Sequence, residues 1–243
     1  MKKQPDNRAS LICSVVIFLL LAGASASHAQ VTVSNVIQHF KFNTRPVKNV
    51  SVGNSSSEPL YVEVTITEVL NPESGGTKTA ETDALLASPK AFSVEANGER
   101  TVRLLLRTAP TDKERVFRVT FAPSDRSFGH QISKTSGNRT TIIKVLSGMG
   151  MLVFADPIAP HAELAWERTN SEIRFSNSGN QHVQLAEGKS CNGKGEECVD
   201  LDPKRVYGES SYSLNVAGDR KVTLLHRAGP SGDYQRLDID PVH

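Results

Sequence analysis

The sequence predicts an all-β fold built from two β-sandwiches. Short runs rich in Val, Ile, Thr and aromatic residues recur at roughly 8–12-residue spacing, with turn residues between them, which is the pattern of sandwich domains. No amphipathic helix of about ten residues or more is present. The runs fall into two sets on either side of residues 157–160, which begin and end with proline and are typical of a linker. We therefore place two domains at residues 30–156 and 157–243.

The first 29 residues have the three parts of a secretory signal peptide. Basic residues precede an apolar core at residues 11–22, and the small residues Ser27 and Ala29 fit cleavage before Gln30. The alternative is a membrane anchor, but the core is too short to span a bilayer comfortably and no stop-transfer charges follow it directly. We expect residues 1–29 to be removed and the mature chain to be exported across the inner membrane as a soluble protein.

The clearest strand covers residues 60–69, where Leu60, Val62 and Val64 alternate with polar residues, as in a half-buried strand. Further strands of the first domain are expected within residues 31–42, 47–52, 85–94, 101–106, 116–121 and 140–154. Strands of the second domain are expected within residues 163–167, 172–176, 182–186, 212–214, 222–225 and 234–239. Residues 124–139 are polar without an apolar period, so they are predicted to be a long loop.

The cysteines predict one disulfide in the mature chain. Cys13 lies in the signal core and leaves with it, so Cys191 and Cys198 remain as an even pair in an exported protein. The alternative is a metal site, but the Cys-x6-Cys spacing with no nearby histidine lacks a complete ligand set. No metal site is predicted.

Composition and motifs exclude several classes of function. Lys+Arg total 28 and Asp+Glu 26, so the chain lacks the basic field of a nucleic-acid binder. The nucleophile elbow, the zinc-protease helix, the P-loop and the dinucleotide fingerprint are all missing, and the glycines at 148 and 150 are a weak match to the last of these. The seven histidines are scattered and are expected at the surface, and the acids in solvated turns. We nominate no catalytic residue.

The stretch at residues 140–157 is the most informative one. Its first half is β-branched and apolar, with Thr141, Ile143 and Val145 on one face and Lys144 on the other. Its second half, residues 147–154, contains two glycines that permit a bend or a close backbone approach. Taken alone, the stretch favours a buried last strand of the first sandwich.

Two segments carry a resemblance to a known family. The turn at residues 110–114, Pro-Thr-Asp-Lys-Glu, leads into the predicted strand at 116–121 and resembles the signature of PapD-like periplasmic pilus chaperones. Residues 175–180, followed by the cysteine pair and the region of Tyr207, resemble the second domain of the alternate, alpha-type or common-pilus branch of that family. The resemblance covers nearly all of the mature chain.

The resemblance implies two immunoglobulin-like domains in a boomerang arrangement and a non-enzymatic function in the periplasm. Such chaperones bind fimbrial subunits that lack their last strand, lend them the G1 strand of the first domain, and deliver them to an outer-membrane usher. It implies no cofactor, no small-molecule substrate and no nucleic-acid partner. The resemblance also implies that residues 140–146 are the donor strand. We favour Thr141, Ile143 and Val145 as the donor residues, because the opposite face carries Lys144.

The sequence departs from the family at the site for the subunit's C-terminal carboxylate. The family places an arginine near the start of the first strand and a lysine in G1, but ungapped matching puts Gln38 and Leu152 at these positions. The nearby candidates for carboxylate binding are Lys41, Arg45, Lys48 and Lys144.

Two other classes of function are weighed against the chaperone. One is a structural or adhesive pilus component. Such a protein carries a strand-like N-terminal donor extension, and residues 31–42 could be taken for one. The Asp-Lys-Glu turn argues against this alternative. The other is a secreted β-sandwich hydrolase, for which the sequence offers no site.

Overall fold

The computed structural model describes residues 31–124, 130–136, 139–145 and 147–242, with side chains in 31–124 and 147–242. The first domain contains twelve strands: β1 Val31–Val33, β2 Ile37–Phe40, β3 Val47–Asn54, β4 Leu60–Val69, β5 Thr79–Glu81, β6 Leu85–Ser88, β7 Ala91–Val94, β8 Glu99–Leu106, β9 Arg115–Pro123, β10 His130–Ser136, β11 Arg139–Val145 and β12 Met149–Ala155. A single 3₁₀ turn, Pro72–Ser74, follows β4.

Two sheets pack face to face in the first domain. One has the order β1-β3-β8-β6, and the other has the order β2-β12-β9-β4-β5 with β7 also on β4. Residues that alternate along β4 and β9, such as Val62, Val64, Phe117 and Phe121, point into a shared apolar core. All pairings are antiparallel except that of β2 with β12, which is parallel. The alternation of β4 is thus explained by burial of one face.

The second domain contains eight strands: β13 Leu164–Arg168, β14 Glu172–Asn177, β15 Val183–Cys191, β16 Val199–Leu201, β17 Lys204–Val206, β18 Ser210–Asn215, β19 Lys221–Ala228 and β20 Gln235–Ile239. They form the sheets β13-β14-β18 and β16-β15-β19-β20, with β17 paired to β15. A second, separate core lies between these sheets around Ile173, Phe175 and Val222. The predicted disulfide between Cys191 and Cys198 is confirmed.

The all-β, two-sandwich fold class is therefore confirmed, and one expected element is wrong. Part of the predicted polar loop is a strand, because β10 pairs along its length with β11. These two strands form a separate two-stranded sheet. Backbone pairing defines this ribbon, and the sequence of β10 shows no apolar period from which it could be predicted. None of the helical turns among the described residues is long and apolar enough to cross a membrane.

Candidate functional site

An open strand edge runs along β11 and the start of β12. Among the described residues, β11 pairs with β10 alone. β12 pairs with β9 along its whole length, but on its other side it pairs with β2 only from Leu152 to Ala155. The backbone of β11 and of residues 149–151 is therefore unpaired on one side in the part of the chain that is described. Unpaired N–H and C=O groups along an edge are a template for another strand.

The residues predicted to be donors lie on this edge strand. Thr141 is opposite Lys134 and Ile143 is opposite Ile132 in the antiparallel register of the hairpin. Val145 ends β11, opposite His130. The side chains of these residues lie outside the described part, so their assignment as donors stays a prediction, as does that of Lys144.

The outer face of β12 is apolar at Leu152, and a cation lies beside that residue. Leu152 lies opposite Ile37 of β2 and opposite Arg118 of β9, so the three side chains form one row across the sheet. Ile37 is 37% exposed, and the preceding Val36 is 54% exposed. Arg118 is exposed, and its guanidinium donates a hydrogen bond to the carbonyl of Gly76 at 3.2 Å. An exposed apolar strip therefore ends beside a held positive charge.

The four sequence candidates for carboxylate binding are dispersed. Lys41 is exposed just after β2, and Arg45 is exposed just before β3. Lys48 is half-buried on β3, which belongs to the other sheet of the sandwich. Gln38, at the family's arginine position, is half-buried one residue from the row that contains Leu152. Of the three whose side chains are described, only Lys41 follows the strand that borders the open edge.

The Asp-Lys-Glu turn forms the joint between the domains. The Glu114 carboxylate accepts hydrogen bonds from the His182 backbone N–H at 3.3 Å and from its ring Nδ1 at 2.8 Å. The two side chains are only 4% and 2% exposed. The expectations that the histidines lie at the surface and the acids in solvated turns are wrong here, because the partner domain covers both groups.

Three further hydrogen bonds fix the joint. The Glu114 N–H donates to the Asn180 carbonyl at 3.0 Å, and the Asn180 amide donates to the Asp112 carbonyl at 3.0 Å. The Gln181 amide donates to the Asp156 carboxylate at 2.9 Å. The two turns that carry the family resemblance therefore contact each other directly.

A row of rings crosses the same joint. His39 stacks on Phe154 with ring centroids 4.9 Å apart, and Phe154 lies 4.8 Å from the ring of His182. Tyr207 of the second domain continues the row 6.2 Å from His182. Tyr207 also packs with Phe154 in a small apolar cluster that joins the domains.

The electrostatic field at His39 is positive. Burial, together with electrostatic repulsion from neighbouring groups that include Arg205, Arg227 and Lys41, lowers the pKa of His39 from 6.5 to about 4. The ring is therefore neutral near pH 7, and its Nδ1 atom is buried without a hydrogen-bond partner among the described residues. No group of His, Cys, Asp or Glu within the described ranges is arranged to hold a metal ion.

Comparisons with known proteins agree with this architecture. Residues 30–140 match the family model of the pili and flagellar-assembly chaperone, PapD N-terminal domain. The class 5 fimbriae chaperone CfaA is 20% identical, with a TM-score of 0.57 over 88% of this chain and 99% of that one. The CupB2 chaperone of Pseudomonas aeruginosa is 15% identical, with a TM-score of 0.58 over 85% and 98%.

A third structure is the SafB chaperone of Salmonella enterica in complex with the SafA pilin. It is 15% identical, with a TM-score of 0.61 over 89% of this chain and 98% of that one. A search of curated proteins finds no match. These three structures share the two-domain, all-β fold of this chain. Residues 30–140 thus resemble the N-terminal domain of the PapD-like pilus chaperones, a non-enzymatic class, and the chain shares its fold with solved members of that class.

Proposed function

We propose that this chain binds fimbrial subunits in the periplasm by strand donation and delivers them to an outer-membrane usher, without catalysing a reaction. Residues 1–29 direct its export, and the two domains meet at residues 156–157. The observation that carries the proposal is the unpaired edge of β11 and of residues 149–151. A subunit that lacks a strand has the complementary defect, so strand addition satisfies the backbone groups of both chains.

Ile143 is the central donor residue in this proposal. Period-2 alternation puts it on one face with Thr141 and Val145, and Ile142 on the other. Burying an isoleucine side chain contributes about 1.5–3 kcal/mol, and an aspartate in an apolar groove adds a desolvation cost. Ile143→Asp should therefore weaken the complex by about 100-fold or more.

Co-expression with the subunits of the same gene cluster tests this proposal. A 1:1 periplasmic complex should be recovered with the unchanged chain and lost with Ile143→Asp, while the variant alone stays folded. Ile142→Asp is the matched control, because it places the same charge one residue away on the opposite face. Loss of binding with Ile142→Asp alone would reverse the face assignment. Failure to recover any complex with the unchanged chain would refute strand donation.

Arg118 supplies the cation for the subunit's C-terminal carboxylate in this proposal. The Leu152 N–H donates to the Val36 carbonyl at 2.9 Å, so β2 occupies the edge of β12 from that point on. A strand of the bound subunit, here called the client strand, that pairs along the open edge must therefore end at Leu152. Arg118 is on the neighbouring strand opposite Leu152, which stands at the family's lysine position.

A double-mutant cycle tests Arg118. Arg118→Gln should weaken binding of a peptide with the subunit's last residues by about 10- to 100-fold, the range for a hydrogen bond to a charged group. C-terminal amidation of the peptide should cause a similar loss, and the two changes together little more. Arg103→Gln, at an exposed position on β8 in the other sheet, is the matched control. Additive losses would rule Arg118 out as the anchor.

A further inference from the structure

Two arginines of the second domain flank a glutamine on its outer face. In the sheet register Gln184 lies opposite both Arg205 of β17 and Arg227 of β19, so the three side chains form one cross-strand row. The Arg227 guanidinium donates to the Gln184 amide oxygen at 2.9 Å. The row therefore holds two positive charges and one neutral acceptor.

Aromatic rings hold both guanidinium groups in place. The Arg205 guanidinium carbon lies 5.2 Å from the centre of the Phe154 ring, and that of Arg227 lies 4.6 Å from the centre of the Tyr234 ring. Such contacts orient a guanidinium without neutralising it. The Nε atoms of both arginines are buried and have no hydrogen-bond partner among the described residues.

Two carboxylates of the domain joint are already engaged in hydrogen bonds. Glu114 is bound to His182, and Asp156 accepts from Gln181. Neither Arg205 nor Arg227 has an ion-pair partner in the part of the chain whose side chains are described. The row therefore carries two positive charges without an ion-pair partner in that part of the chain.

A hollow of about 370 Å³ opens beside the row. Gln184, Lys204, Arg205 and Tyr207 line its second-domain side. Arg227 does not line the hollow and is connected to it through its hydrogen bond to Gln184. Glu73, from the 3₁₀ turn after β4, lines the opposite wall. The hollow is large enough for a carboxylate side chain, and Glu73 would repel one.

We propose that Arg205 binds a carboxylate side chain of the subunit in this hollow, and that Arg227, held behind Gln184, adds positive charge to the site. This inference rests on the proposed function, and it assigns the second domain a recognition site separate from the C-terminal anchor at Arg118. A planar guanidinium binds a carboxylate through two parallel hydrogen bonds, so Arg205, with a second positive charge behind it, selects acidic residues over neutral ones.

The first experiment needs no subunit. The ¹⁵N-labelled mature chain is titrated with glutarate, a dicarboxylate, while the arginine Nε–H signals are followed by NMR. The signals of Arg205 and Arg227 are assigned by their loss in Arg205→Gln and Arg227→Gln. Both signals should shift on addition of glutarate, and the shifts should saturate at millimolar concentration. The signal of Arg174, exposed on β14 in the other sheet, should stay unchanged. No shift, or an equal shift with chloride at the same ionic strength, would overturn the proposal.

The second experiment measures affinity for the co-expressed subunit. Arg205→Gln with Arg227→Gln should lower it by about 10- to 100-fold, and Glu73→Gln should raise it because a repelling charge is removed. Arg174→Gln is the control and should leave it unchanged. An unchanged affinity in the double variant overturns this site alone. The Ile143→Asp result decides strand donation independently, so the two failures can be distinguished.

Discussion

Removal of the Glu114 carboxylate should uncouple the two domains. In Glu114→Ala, the backbone N–H and the ring nitrogen of His182 lose their partner at 3.3 and 2.8 Å while both positions stay covered. Leaving a buried donor unsatisfied costs about 1–3 kcal/mol, and two donors lose their partner here. Lys113→Ala, one residue earlier, removes an ion pair with Glu209 whose side chains are 60% and 54% exposed, and such pairs contribute about 0–1 kcal/mol.

Urea denaturation of the mature chain measures the difference. Trp166, the chain's single tryptophan, lies on β13 and reports the second domain by fluorescence, while circular dichroism reports both domains. With a slope of about 1–3 kcal/mol/M, the midpoint for Glu114→Ala should fall by roughly 1–3 M and that for Lys113→Ala by a few tenths. Two separate transitions would mark the uncoupling. Equal midpoints for the two variants would refute the argument from burial.

Two further outcomes concern stability. The folded-state pKa of His39 is lowered from 6.5 to about 4, so its stabilising contribution is complete above pH 6.5 and is lost as pH falls toward 4. The drop in melting temperature between pH 7.5 and 4.5 should therefore be smaller in His39→Gln, and an equal drop would count against this. At Gly179, a Cβ would lie 2.5 Å from a backbone oxygen, so Gly179→Ala should destabilise by about 1–3 kcal/mol. Gly150→Ala meets nothing within 4 Å and should change the urea midpoint far less; equal shifts would contradict the packing argument.

Local pattern predicted the fold well where one face of a strand is buried. Leu60, Val62 and Val64 alternate in the sequence because they alternate between core and solvent in β4. β10 escaped prediction because its residues have no apolar period, although its backbone pairs with β11 in a separate two-stranded sheet. An alternating apolar pattern predicts a strand with one buried face, and a strand whose sequence does not alternate is missed.

The contacts between the two domains could not be predicted from the sequence for a different reason. Glu114 and His182 are separated by 68 positions, and each lies in a locally polar segment that the other domain covers. Arg118 could be placed on the outer face by alternation with Phe117 and Val119. The sequence could not show that β9 aligns it with Leu152, since register between strands is a long-range property.

The end of the open edge also determines how a client strand is aligned. β2 closes the edge at Leu152, so a client strand has one fixed end point, and Arg118 lies beside it. A slip of one residue would turn every client side chain to the other face of the strand. The anchor therefore selects which client residues meet the donor face that contains Ile143. On this argument Arg118→Gln should both weaken binding and admit clients shortened or extended by one residue, which the unchanged chain discriminates against. Equal discrimination by both proteins would show that register is set by the donor side chains alone.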